Sequence, residues 1–175
     1  MSLTYLRDDK ATEIVVSRGD VKPKAVPVSK LLSNGIGYIA LDRFSKTASK
    51  EVESALKLML IDEAKGIILD LRNNPGGLLH EAVKIVNLFV PKGQLVVTTK
   101  SKVEKYNQTY FTKNEPLDLD IPLVVLIDGG KGQVSVACKV LKELNIKDIT
   151  VIGVSKGKQR NAGNEKIHFA PLKAY

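Results

Sequence analysis

Apolar and polar positions change period along this chain, and each change marks an element. Residues 4–18 hold two short alternating segments, Thr4-Tyr5-Leu6-Arg7 and Glu13-Ile14-Val15-Val16-Ser17-Arg18, with the turn residues Asp8-Asp9-Lys10 between them. That pattern predicts a hairpin, too small to be stable alone. Residues 19–34 show little periodicity around Gly19, Pro23, Pro27 and Asn34 and predict a linker that becomes extended; residues 37–41 predict a strand. From Thr47 the period becomes helical. Val52, Ala55, Leu56, Met59 and Leu60 form one apolar stripe, which predicts a helix over about 48–63 with Thr47 as its cap.

The run Gly66-Ile67-Ile68-Leu69-Asp70-Leu71 is continuously apolar at strand length, the pattern of a strand buried on both faces. A turn at 73–77 follows. A second helix over about 79–90 carries a stripe at Ala82, Val83, Val86, Phe89 and Val90, and Pro91 and Gly93 end it. Two alternating segments, 94–99 and 105–112, read as a pair. Residues 122–127 form another apolar strand, 128–132 a glycine-rich corner, and a third helix carries Val134, Ala137, Cys138, Leu141 and Leu144. A strand at 149–152, a basic glycine-containing loop and an extended piece at 166–175 complete the chain. Strands alternating with helices imply parallel strands joined by crossover helices, hence an α/β fold. In such sheets the chemistry gathers where strands end and helices begin. Two corners qualify, 72–77 and 128–133.

Composition narrows the classes. A chain of 175 residues, 43% apolar and 26% charged, is of ordinary globular make-up and about one domain with a small appendage. No run approaches the roughly 20 apolar residues of a membrane span. The net charge of +8 raises nucleic acid as a partner, but the lysines are dispersed. Only Lys156 to Arg160 is a basic cluster, without the interleaved aromatics of a single-strand binder, so no nucleic-acid partner is expected. The single Cys138 forbids an internal disulfide. Met1-Ser2-Leu3 runs straight into strand-like sequence with no targeting segment, and reads as an artificial start on a piece of a longer protein.

The corner Asn73-Asn74-Pro75-Gly76-Gly77 just before a helix leaves backbone N–H groups free to face an anion, as an oxyanion hole requires. The same residues also spell a plain glycine-assisted turn. The corner Asp128-Gly129-Gly130-Lys131-Gly132-Gln133 would expose a nucleophile, and the near candidates are Ser135 and, more remotely, Cys138, which lies on the apolar stripe and reads as a packed thiol. Lys158 can serve a serine as general base if burial lowers its pKa, and otherwise reads as one of several solvated cations at 156–160. His80 and His168 have no motif around them.

Together, Gly35-Ile36-Gly37-Tyr38-Ile39, the run from Ala64 through Leu71-Arg72-Asn73-Asn74-Pro75-Gly76-Gly77-Leu78-Leu79, Glu81-Ala82-Val83, Leu88-Phe89-Val90-Pro91-Lys92-Gly93 and Ile121 to Leu126 resemble the catalytic domain of the C-terminal processing (tail-specific) serine peptidases. The resemblance covers residues 30–153 and is most specific at 64–93. It implies a crotonase/ClpP-like α/β core of mostly parallel strands at 35–175, cut short at its C-terminal end. It further implies a connecting segment at 20–34 and a remnant of a preceding PDZ-like domain at 1–19. Protein and peptide C-termini are the implied substrates or ligands, the location is extracytoplasmic, and neither cofactor nor metal is called for. An incomplete sheet would have open edges through which copies could pair.

The family's chemistry is a serine–lysine dyad. Laid on this chain, the lysine falls on Lys158, and the supporting glutamine falls on Ala162. The oxyanion hole falls on Gly76, Gly77 and the N–H of Val134. The nucleophile falls on Gln133, whose amide cannot attack a carbonyl. Ser135 is the fallback, but two residues along a helix turn its side chain by about 200°. The resemblance therefore implies a C-terminal processing serine endopeptidase that is catalytically impaired. The alternative is a module that binds an extended peptide without cutting it. A third reading, acyl-CoA chemistry on a crotonase-like shape, has only the shared fold in its favour.

Overall fold

The computed structural model describes residues 2–19, 23–146, 149–156 and 163–169. Its centre is a six-stranded sheet with the order β10-β9-β8-β5-β4-β3. The strands are β3 (Val28–Leu31), β4 (Ile36–Ala40), β5 (Gly66–Asp70), β8 (Leu123–Asp128), β9 (Ile149–Ser155) and β10 (Lys166–Phe169). The inner strands β4, β5, β8 and β9 run parallel, while β3 and β10 pair antiparallel at the two edges. The expected α/β core of mostly parallel strands is the fold observed.

Helices α1 (Ala48–Ile61), α2 (Leu79–Val86) and α3 (Lys131–Glu143) lie in the connections between the parallel strands. Each new parallel strand is added on the same side of the last, so right-handed crossovers put every helix on one face. Odd-numbered positions of β4 and β5 carry that face. Ile39, Leu41, Ile67, Leu69 and Leu123 pack with Val52, Ala55, Leu56 and Met59 of α1 and Ile85 of α2. Full burial of each large aliphatic side chain contributes about 1.5–3 kcal/mol. The strand expected at 66–71 to be buried on both faces is close to that: on the other face Gly66 and Asp70 are buried and Ile68 is half-buried, while Val124 and Leu126 of β8 are half-covered there.

Residues 23–34 are more than a plain linker. Ala25 and Val26 are buried, Asp42 N–H donates to the Ala25 carbonyl at 2.9 Å, and Val26 N–H donates to Glu51 Oε2 at 2.9 Å. Residues 28–31 then form the edge strand β3. Between two prolines, Ala25 and Val26 are built into the core, while β3 stays exposed at the sheet edge. The hairpin expected at 4–18 is present as β1 (Ser2–Arg7) and β2 (Lys10–Val15), paired antiparallel. Asp8 and Asp9 both have positive φ, 51° and 58°, which matches the twist a two-residue hairpin needs. β6 (Leu95–Thr99) and β7 (Gln108–Phe111) pair as expected, with a 3-10 turn at Glu104–Tyr106 before β7.

Two helical expectations shift. α2 ends at Val86, and its fully buried positions are Glu81 and Ile85; of the expected stripe, Val90 beyond the helix is buried and Ala82, Val83, Val86 and Phe89 are half-buried. On α3 only Val134 is fully buried. Ala137, Leu141 and Leu144 line a cavity of about 420 Å³ against Val86, Val125 and Val151, which leaves them half-buried.

Candidate functional site

The site is assembled at the C-terminal ends of the neighbouring strands β5 and β8. Asp70, the last residue of β5, lies on the face away from the helices and is buried at 5% exposure. Arg72 approaches it with Nε at 3.0 Å and a terminal nitrogen at 2.6 Å, Arg72 N–H adds a bond at 2.9 Å, and Tyr38 Oη donates at 2.6 Å. Burial pushes the Asp70 carboxyl up, but the hydrogen bonds from Arg72 and Tyr38 outweigh it and hold the pKa below the usual carboxylate range. Burial, then the bond to Asp70, pushes the Tyr38 hydroxyl up. Hydrogen bonding to Asp70 likewise raises Arg72. The cluster fixes the chain at the point where it leaves the sheet.

From there the corner is held by side chains. Asn73 takes φ 62°, and its N–H reaches Asp128 Oδ2 at 2.5 Å, joining the first corner to the end of β8. Asn74 donates from Nδ2 to the Leu41 carbonyl at 2.7 Å and accepts the Gly76 N–H on Oδ1 at 2.8 Å. Gly77 runs beside Phe44 as a parallel bridge. A Cβ there would lie 2.4 Å from the Phe44 carbonyl oxygen at φ +148°, so this position tolerates only glycine. Of the amides expected to hold an oxyanion, Gly76 is therefore engaged with Asn74 in this conformation. The Gly77 N–H has no acceptor among the described residues. The Val134 N–H donates to the Gly130 carbonyl at 3.2 Å as the first bond of α3.

The second corner brings Gln133 to the first turn of α3. Its side chain folds back, and Oε1 accepts the Gly130 N–H at 3.0 Å, so an exposed amide caps the helix it belongs to. Gly129 N–H donates to the Val154 carbonyl at 3.0 Å. Gly153 of β9 lets the strand pass close beneath: a Cβ there would sit 2.6 Å from both the Gly129 carbonyl oxygen and Val134 Cγ2. Ser135 is exposed and lines a cavity of about 220 Å³ with Lys131 and His168. Cys138 is half-buried, and His80 is exposed. Lys158 and Ala162 lie outside the described residues.

In this arrangement the family's own wording at residues 64–93 occupies the strand, turn and helix that build the corner. The model of peptidase family S41 matches residues 35–159, most of the chain. The chain belongs to peptidase family S41. A Probable CtpA-like serine protease of Staphylococcus haemolyticus is 37% identical over 131 residues, covering 71% of this chain and 25% of that protein. A Probable CtpA-like serine protease of Staphylococcus aureus is 34% identical over 149 residues, covering 83% of this chain and 29% of that protein. The chain thus spans little more than a quarter of the curated relatives it matches. Among solved structures, the photosystem II D1 C-terminal processing protease superposes with a TM-score of 0.54 at 22% identity, over 83% of this chain and 39% of that one. That likeness bears on the fold.

Three features of this S41 chain escape a reading of its sequence. The Tyr38–Asp70–Arg72 cluster needs the parallel register of β4 and β5, which places Tyr38 diagonally across from Asp70. The second is Glu81, 1% exposed, which accepts Ser49 N–H at 2.9 Å at the start of α1 and Lys84 Nζ at 2.7 Å. Burial raises its pKa, yet the bonds from Lys84 and Ser49 bring it down to about 2. Thr47, the expected cap of α1, instead donates its hydroxyl to Glu51 at 2.6 Å, and Glu81 does the capping from the neighbouring helix. The third is a contact between Ser155 and His168 at 2.7 Å.

Proposed function

We propose that this chain is an S41-type, C-terminal-processing peptidase core that holds the extended C-terminal end of a protein but does not cut it by the family's serine–lysine dyad. The observation that carries this reading is Gln133. It stands at the nucleophile's place in the resemblance, its amide is not a nucleophile, and its side chain is spent on the Gly130 N–H at the helix start. Losing an activated nucleophile costs many orders of magnitude in rate, whereas main-chain pairing of a peptide with a sheet edge does not call on that side chain. An extended peptide can bind by lying along a sheet edge with its main chain paired, and β3 and β10 are the edge strands here.

The same reading includes self-association through those edges and an extracytoplasmic setting for the whole protein, neither of which the binding step requires. It is tested with the 175-residue chain and a fluorescent, unstructured peptide ending in a free carboxylate. Anisotropy should report saturable binding, and mass spectrometry should find the peptide intact. Cleavage that disappears in Ser135→Ala would overturn the reading in favour of a working shifted nucleophile.

A further inference from the structure

The antiparallel pairing of β9 and β10 sets His168 opposite Gly153 and Lys166 opposite Ser155. Ser155 and His168 are therefore diagonal neighbours on one face of the sheet, the face that Gly153 presents to Val134 of α3. Ser155 Oγ and His168 Nε2 stand 2.7 Å apart and both side chains are half-buried, neither sealed from solvent. The imidazole edge sits against the second corner, with Nε2 4.0 Å from where a Cβ on Gly130 would be. The 220 Å³ cavity opens beside the ring, which reaches it from the β10 side, while Ser155 is not itself part of its lining. A hydroxyl, a ring nitrogen within hydrogen-bond reach of it and an adjoining space are the parts of an activated nucleophile. They lie next to Gly130, at the start of a 13-residue helix whose first amides have no acceptor within the helix.

We propose that Ser155 and His168 form a nucleophile–base pair that accepts acyl groups from carboxylic esters, separate from position 133. With the ring proton on Nδ1, Nε2 accepts the Ser155 hydrogen. Oγ attacks the ester carbonyl carbon, the proton passes to His168 Nε2, and the carbonyl electron pair moves onto oxygen. As that pair returns, the bond to the leaving alcohol breaks and the alcohol oxygen takes the proton from His168. Water, deprotonated by the same Nε2, then releases the carboxylic acid and restores Ser155. Esters are the class indicated because, among the described residues, no carboxylate is bonded to His168 to orient and strengthen it as a base, and an alkoxide leaves far more readily than an amine.

The experiment treats the 175-residue chain with a fluorophosphonate and, separately, with p-nitrophenyl acetate, and locates adducts by peptide mass spectrometry. The expected result is one adduct, on Ser155, absent in Ser155→Ala. Labelling should be slower by about a hundredfold or more in His168→Gln, in the range a general base contributes. Labelling should be unchanged in Ser101→Ala. Thermal melts of the variants check folding, and if either fails to fold, the position of the adduct on the unaltered chain decides. An adduct on Ser135 or elsewhere, no adduct, or labelling of folded His168→Gln at the unaltered rate would overturn the proposal. Neither probe depends on peptide binding or on Gln133, so this result and the one for the proposed function can fail separately.

Discussion

At the scale of single residues, two positions carry more of the structure than their sequence context suggests. Glu81 is an acidic residue beside the expected apolar stripe of α2, and buried there it accepts the Ser49 N–H at the N-terminus of α1, where the Thr47 side chain makes no cap bond. Its pKa of about 2, against an ordinary 4.5, makes its contribution complete above about pH 4.5 and lost as pH falls toward 2. The contribution is on the order of 3 kcal/mol. Urea unfolding should therefore show a stability drop on acidification that is much reduced in Glu81→Gln, and that variant should be less stable near neutral pH. An unchanged acid limb in the variant would show that other carboxylates set it; the lowered pKa of Asp70 makes its own loss run in the same direction. Gly77 is the second position. Gly77→Ala would drive a methyl into the Phe44 carbonyl oxygen and should cost about 3 kcal/mol or more, read as a fall in denaturant midpoint, because backbone atoms cannot move aside as a side-chain tip can.

Elements were legible where one period ran long enough to be seen. α1, with five stripe positions, and the strands β5 and β8, with unbroken apolar runs, follow directly from local pattern. The segment 23–31 did not, because the burial of Ala25 and Val26 and the pairing of β3 depend on Glu51, Asp42 and the β4 edge, contacts distant in sequence. α2 illustrates the same limit: its stripe named the apolar residues, but the sheet selected Ile85 and the neighbouring helix selected Glu81. In the site, the corners at 72–77 and 128–133 were legible from glycine and proline, whereas Ser155 and His168 meet only through the register of β9 and β10. The β1–β2 hairpin is exposed along its whole length and forms a sheet of its own. Deleting residues 2–18 should change the stability of the six-stranded core by less than about 1 kcal/mol, measured by denaturant melts, since little apolar area would be uncovered.

For the whole molecule, a one-sided stack of three helices on a mostly parallel sheet brings two glycine corners together at the ends of β5 and β8, and Asn73 and Asp128 tie them. Gln133, which the proposed reading sets at the nucleophile's place, is an amide whose oxygen accepts the Gly130 N–H at the start of α3. Helix α3 does not need the glutamine for its burial, which rests on Val134. Gln133→Ser should accordingly fold with a small loss of stability, about 1 kcal/mol, from the missing cap. The direct test compares cleavage of an unstructured, C-terminally free peptide by the unaltered chain and by Gln133→Ser under identical conditions. The account predicts no cleavage above the uncatalysed background by the first, and turnover at least about a thousandfold above that background in the second, abolished again by Lys158→Ala. Equal cleavage by both proteins, or cleavage by the unaltered chain that Ser135→Ala removes, would contradict it.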